Sequence, residues 1–341
     1  MRLMIDFQAL YDTTNHFLLK YLGLSVFKSL ILVGITLLHV AYTTYAERKI
    51  IGHMQQRIGP NRVGPLGLLQ PMADVLKLIQ KEDIIPSCVD SPGVFKLAPF
   101  ISLVAGATSL AVIPIWENFV ITNVNTGLLV ILAMSSLSSF GVILAGWASN
   151  SRYSFLGGLR ASAQVISYEI AMALALVGVM ILAGSMNLIE IVKAQVASPY
   201  KIYAIPQIIG FFVFMVAAIA ETNRTPFDLP EAESELVAGY FVEYSGIRFA
   251  LFYLAEYFGM IVMCMLAVVC FLGGWYGPFE VPGVPFFWFL LKLYFLIFFY
   301  IWVRATLPRY RYDQLMNLGW KVLIPLSLLN IVITGLIKVL A

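Results

Sequence analysis

Residues 205–244 read IPQIIGFFVFMVAAIAETNRTPFDLPEAESELVAGYFVEY. The first part, up to Ala220, is almost wholly apolar. The second part holds six of the 19 acidic residues: Glu221, Asp228, Glu231, Glu233, Glu235 and Glu243. An apolar run that ends abruptly in carboxylates marks the edge of a lipid-facing segment, because hydrocarbon tolerates neither charge nor unpaired backbone. Composition extends this reading to the whole chain. Of 341 residues, 60% are hydrophobic and only 12% are charged, against about 45–50% and about 25% in soluble domains. The expected fold is therefore all-α, a polytopic membrane protein forming one integral membrane domain over residues 1–341.

A spanning helix needs about 20 mostly apolar residues. Eight segments qualify: 25–45, 94–116, 126–147, 161–183, 206–220, 239–271, 283–303 and 321–340. The fifth is short and the sixth long. An even number places both termini on one side. The connections 46–93, 148–160, 221–238 and 304–320 carry 12 Lys and Arg, and the opposite set, including the N-terminal tail, carries four. The bias of basic residues towards the cytoplasm puts the first set there and both termini on the periplasmic side. All the long polar connections thus share one face, as a docking surface for a soluble partner would.

The first of these connections opens with AERKIIGHMQQRIGPNRVGPLG, residues 46–67, whose prolines and glycines argue loop or turn. LGLLQPMADVLKLI then sets Leu68, Leu69, Met72, Val75, Leu76 and Ile79 at helical spacing, with Asp74, Lys77 and Lys81 on the polar side. This is a short amphipathic helix, lying along the membrane surface or packed against neighbouring loops. No phosphate-binding loop is indicated, since the glycines lack the GK[ST] ending. His16, His39 and His53 are scattered. Cys88, Cys264 and Cys270 are too few and too far apart for an iron–sulfur cluster or structural zinc. A net charge of +3 does not suggest nucleic acid.

Ionisable residues inside apolar spans are costly and point to function. Glu169 lies within the fourth span, and Glu243 and Glu256 lie in the sixth. On one helix the latter two would project about 140° apart, so each requires its own partner or a wet cavity. Arg248 is one candidate for Glu243. Glu231 and Glu235 would share a helical face, and Glu233 points elsewhere. Partial burial and mutual repulsion would raise such carboxyls towards neutral pH. Pro226, Phe227, Leu229 and Pro230 interleave with the charges and suggest a packed, stiff segment rather than a solvated loop. Together these acids suggest a proton or ion path. Arg48, Lys49, Arg57, Arg62, Arg304, Arg309, Arg311 and Asp313 face the same side, where a polar-headed amphiphile could enter.

The motifs AERKIIGHMQQRIGPNRVGPLGLLQPMADVLKL, ISYEIA, AETNRTPFDLPEAESELVAGYFVEYSG, LAEYFGM and RATLPRYRYDQLMNLGWK spread over residues 46–321. In them the chain closely resembles the quinone-site membrane subunits of proton-pumping NADH:quinone oxidoreductase, respiratory complex I: the bacterial family whose mitochondrial homologue is subunit 1. The resemblance implies the membrane side of a quinone chamber, with Arg48, Arg57, Asp74 and Arg304 on the chamber side. It implies a proton path through Glu169, Glu221, Asp228, Glu231, Glu233, Glu235, Glu243 and Glu256. It also implies a translocase subunit with no complete active site of its own, ubiquinone or menaquinone as substrate, and no iron–sulfur cluster, flavin or metal in this chain. Implied partners are the soluble iron–sulfur and quinone-site subunits of the peripheral arm, small membrane subunits, antiporter-like pump subunits and lipid. The implied location is the bacterial inner membrane, or the mitochondrial one. Relatives in membrane-bound hydrogenases and other modular dehydrogenases share the fold with different electron partners, and the strict FDLPEAESELVAGY match favours complex I. A stand-alone ion transporter would favour inverted repeats, which are not visible.

Overall fold

Helices follow from the sequence because, in lipid, each backbone polar group must be paired within its own segment. A computed structural model describes residues 2–117, 119–229, 237–277 and 285–340, with side chains from residue 26 onward. The helices are α1 (Arg2–Met54), α2 (Gln70–Gln80), α3 (Pro92–Val112), α4 (Gly127–Ala148), α5 (Arg152–Ala183), α6 (Leu188–Ala197), α7 (Ile208–Glu221), α8 (Gly246–Phe271), α9 (Pro285–Thr306), α10 (Tyr312–Leu318) and α11 (Ile324–Leu340). A π-helical turn, Gly319–Leu323, joins α10 to α11 without a break.

Seven stretches are long and apolar enough to cross a membrane: Val26–Met54, α3, α4, α5, α8, α9 and Tyr312–Leu340. The expected segment 206–220 is α7. Its 14 residues extend only about 21 Å, against a hydrocarbon thickness of about 30 Å. The chain divides into two units, Met1–His39 and Val40–Ala341. The first is the N-terminal part of α1, so the expected tail is helical. The second holds everything described below.

Within this second unit α8 is the hub. It touches α2, α3, α5, α6, α7 and α9 and is buried along most of its length. Close approach depends on small residues, as in membrane helix packing generally. A Cβ at Gly141 of α4 would lie 2.1 Å from Ser102 Oγ of α3, and one at Gly157 of α5 would lie 2.7 Å from Gly239 Cα. The C-terminal end of α8 is capped from a neighbouring helix. Lys292 of α9 donates through Nζ to the carbonyls of Leu272 (2.5 Å), Gly274 (3.0 Å) and Tyr276 (2.5 Å). A cation there satisfies the C-cap carbonyl of the helix and two carbonyls of the turn beyond it, and opposes the helix dipole. Further along the bundle, Asn330 of α11 donates to Gln207 Oε1 (2.7 Å), and Gln207 donates to Thr334 Oγ1 (2.5 Å).

Three expectations need correction. Residues 46–54 continue α1 and do not open a loop. No proline precedes Pro60, and Gly52 allows the returning Gly59 to pack close, a Cβ at Gly52 falling 3.0 Å from Gly59 N. Glu243 does not lie on the same helix as Glu256. It sits half-buried between the 3-10 turn Gly239–Phe241 and α8, which starts only at Gly246 with φ +57. The two acids are therefore not related by a helical angle. Arg248 pairs with Asp83 at 2.8 Å, not with Glu243.

The amphipathic helix is present as α2, and the expected apolar stripe is exposed: Leu68, Leu69, Met72, Val75, Leu76 and Ile79 are each at least 41% accessible. The helix is tethered at its middle and just past its end. Arg48 holds Asp74 at 2.6 Å, and Arg248 holds Asp83 just beyond its C-terminus.

Candidate functional site

Four elements converge on one carboxylate. Glu47, near the end of α1, is buried, with 5% of its side chain accessible. Arg224 Nη1 donates to both of its oxygens, at 3.0 and 3.1 Å. Tyr257 of α8 donates to Oε2 at 2.7 Å, and Arg304, in the last turn of α9, donates to Oε1. The guanidinium of Arg224 lies over the Tyr257 ring, 4.1 Å from its centroid, and Tyr253 OH lies 3.0 Å from Tyr257 OH. A buried ion is tolerated only when its charge and lone pairs are both met, and here three donors meet one acid. Arg304 is the exposed member, at 39%, against 9% for Arg224.

Arg224 is placed by the segment that follows α7. The helix ends at Glu221; Asn223 turns the chain with φ +49, and Thr225–Pro226 is a cis peptide. Residues 222–224 and 226–229 are buried, as the interleaved prolines and apolar side chains suggested. Their backbone is met by protein: Gln164 Nε2 of α5 lies within hydrogen-bonding distance of Ala220 O (2.7 Å), Phe227 O (2.8 Å) and Asn223 Oδ1 (3.2 Å). The following connection clamps the segment from outside. Tyr310 N donates to Pro226 O at 3.1 Å, Phe227 stacks on Tyr310, and Arg309 pairs with Asp228 at 2.9 Å.

Burial alone would lower the Arg224 pKa, but Glu47, Tyr257 and Glu256 carry it well above its ordinary value, so it stays charged. Asp228 behaves oppositely. Burial pushes its carboxyl up to about 6, against the pull of Arg309. Glu256 lies within electrostatic reach of both Arg224 and Asp228.

Beside this cluster is a cavity of about 80 Å³, enough for several waters. Glu221, Asn223 and Glu256 line it together with Ser135, Ser138 and Ser139 of α4. Glu169 stands behind it on α5 and accepts a hydrogen bond from Ser136.

The family model described as NADH dehydrogenase matches residues 27–335. The chain belongs to the NADH dehydrogenase family. Similar members include an H-type NADH-quinone oxidoreductase subunit of Geobacter metallireducens, 51% identical over 92% of this chain and 94% of the relative. The H-type NADH-quinone oxidoreductase subunit of Rickettsia bellii is 52% identical over 93% and 95%. The protein of the same name from Thermomicrobium roseum is 51% identical over 90% and 95%.

In this NADH dehydrogenase family member, the structure brings together some of the residues singled out from sequence and separates others. Arg304 reaches Glu47. Arg48 and Asp74 pair with each other at the surface. Arg57 is exposed and donates to Gln55 at 2.8 Å, outside the cluster. Glu221 and Glu256 line one cavity, Glu169 adjoins it, and Asp228 sits at the arginine side. Glu231, Glu233 and Glu235 lie outside the described residues. Sequence reasoning missed Glu47, Arg224, Tyr253 and Tyr257. The available signal was an acid at the end of a span beside two basic residues, in AERK, and an arginine within an acidic stretch, in ETNRT. Among the described residues no group of three or more His, Cys, Asp or Glu side chains is arranged to hold a metal ion.

Proposed function

We propose that this chain is the membrane subunit of a proton-translocating NADH:quinone oxidoreductase, in which it forms the membrane wall of the quinone site and carries protons away from it. The observation that carries this reading is the buried Glu47 held between one buried and one exposed arginine. Reduction of a quinone adds two electrons and two protons. The electrons must come from another subunit, because three dispersed cysteines hold no electron carrier. Negative charge that develops on the substrate headgroup attracts the exposed Arg304 and weakens its hold on Glu47. Glu47 is then left to Arg224 and Tyr257. That change bears on Glu256, which lies within electrostatic reach of Arg224, and on Asp228, which lies within reach of Arg304 and Glu256.

The largely buried segment after α7 fits a coupling role, since a charge change at Arg224 bears directly on Asn223 in the wall of the cavity. Glu169, Glu221, Asp228 and Glu256 form the continuation of the path in this reading, with Glu231, Glu233, Glu235 and Glu243 at its approach. Arg48, Asp74 and Arg57 line the entrance beneath α2. The exposed apolar face of α2 suits lipid or a neighbouring subunit. The relatives' names and the basic connections support placement in the bacterial inner membrane, with the iron–sulfur arm docked on the cytoplasmic face, both termini periplasmic, and smaller membrane subunits and antiporter-like pump subunits alongside.

The test is complementation of a bacterium that lacks its own copy. Membranes carrying this chain should catalyse quinone-dependent NADH oxidation and acidify one side. Glu47→Gln should lower both while the complex still assembles. An assembled Glu47→Gln complex with full quinone reductase activity and full pumping would overturn the assignment.

A further inference from the structure

The cavity and Glu169 are separated by a wall, and the wall is made of hydroxyls. Ser135 and Ser136 are adjacent on α4. Ser136 directs its side chain to Glu169 Oε1. Ser135 lines the cavity together with Glu221, is adjacent in sequence to the partner of Glu169, and has its hydroxyl close to both carboxyls. Both hydroxyls are also within reach of one backbone carbonyl, Leu132 O, at 2.9 Å for Ser135 and 3.1 Å for Ser136. Each hydroxyl can therefore donate to Leu132 O or, by rotation about χ1, to a carboxylate. On the other side of Ser135, Glu221 Oε2 has no hydrogen-bond partner, although Glu221 lines a space large enough for several waters.

We propose that the Ser135 hydroxyl is the relay that joins Glu169 to the wet cavity of Glu221 and Glu256, with Ser136 holding Glu169 in position to receive or release the proton. This rests on the proposed function, and it names the groups between the acids. With one acid protonated, its O–H bond breaks as the proton passes to Ser135 Oγ. In the same step the O–H bond of Ser135 breaks, and that proton forms a new O–H bond on the other carboxylate. The hydroxyl ends chemically unchanged. Its new proton points back towards the donor, so it must rotate before a second transfer. Leu132 O gives the rotor an intermediate acceptor. Ser138 and Ser139, on the following turn of α4, extend the hydroxylated wall, and waters complete the route to Glu256. Water cannot replace the relay fully, because Glu169 does not line the cavity.

The experiment uses the whole purified complex in liposomes. Quinone reduction, pumping and the solvent deuterium isotope effect are measured for the wild type, Ser135→Ala, Ser135→Thr and Glu169→Gln, and for Ser135→Ala combined with Glu169→Gln. A positioned proton-transfer group contributes about 100-fold. A water that partly replaces it leaves an expected loss of about tenfold in pumping for Ser135→Ala, with a larger isotope effect. Ser135→Thr keeps the hydroxyl and should recover most of the pumping. The combined variant should be no worse than Glu169→Gln alone, since both lie on one route. The relay is overturned if Ser135→Ala pumps like the wild type with an unchanged isotope effect, if Thr fails as badly as Ala in assembled complex, or if the two losses multiply. A wild-type complex that reduces no quinone would instead sink the proposed function.

Discussion

Arg224 and Tyr257 are stacked face to ring, 4.1 Å apart, while both grip the same carboxylate. This arrangement ranks the cost of cutting the cluster. Tyr257→Phe keeps the ring under the guanidinium and removes one hydrogen bond to Glu47, which should cost about 1.5–3 kcal/mol. Arg224→Leu leaves a buried carboxylate with the half-exposed Arg304 as its remaining charged partner, beside Tyr257, and should cost about 3–5 kcal/mol. Thermal denaturation of the detergent-solubilised complex should follow that order. The reverse order would mean that the stack, not the ion pair, holds the cluster.

Asp228 gives a pH signature. Its folded pKa of about 6 lies above the ordinary 3.8 because of burial. An acid raised in this way favours its protonated form in the fold. Its contribution to stability is full below about pH 4 and is lost as pH rises through about 6. The melting midpoint of the wild type should therefore fall more steeply between those limits than that of Asp228→Asn. Parallel pH profiles would show that Arg309 keeps the acid charged throughout.

Lys292 is a stability residue far from the arginine cluster. Lys292→Met strips the C-cap carbonyl of α8 and two carbonyls of the following turn of their donor, and the expected loss is about 2–4 kcal/mol, net of the cost of burying the ammonium. Complex that still assembles should retain quinone reduction. A variant that assembles normally, melts normally and yet fails to turn over would assign Lys292 a part in the chemistry.

Gly141 sets the distance between α3 and α4. Adding a methyl group 2.1 Å from Ser102 Oγ forces the helices apart or rotates the serine, at about 1–3 kcal/mol. Gly141→Ala should lower the melting temperature. The second change Ser102→Ala should restore part of it, and no recovery would place the strain in the backbone.

Hydropathy alone disclosed the bundle, because lipid imposes the same demand on every segment and each span carries its own signal. The intramembrane acids were legible for the same reason: Glu169 and Glu256 stand out against apolar neighbours. The arginine cluster was not legible in that way. Glu47 meets partners 177, 210 and 257 positions away, and nothing local distinguishes it from an interfacial acid beside Arg48. Arg224 registered only as one positive charge in an acidic stretch. The helical relation assumed between Glu243 and Glu256 failed at Gly246, whose positive φ and packing against Lys81 O, at 3.1 Å from a Cβ, start α8 later than hydropathy does.

The π-helical turn at Gly319–Leu323 holds one residue more than an α-helix would need. Deleting a single residue there, such as Val322, would restore ordinary winding and leave the C-terminal helix in its present phase, because the wide turn already absorbs the roughly 100° that one residue contributes. Asn330 and Thr334 would still face Gln207. A deletion further along α11 but before Asn330, where no surplus residue exists, would instead swing both away by about 100°, so this turn is where the last span should tolerate a single-residue deletion best.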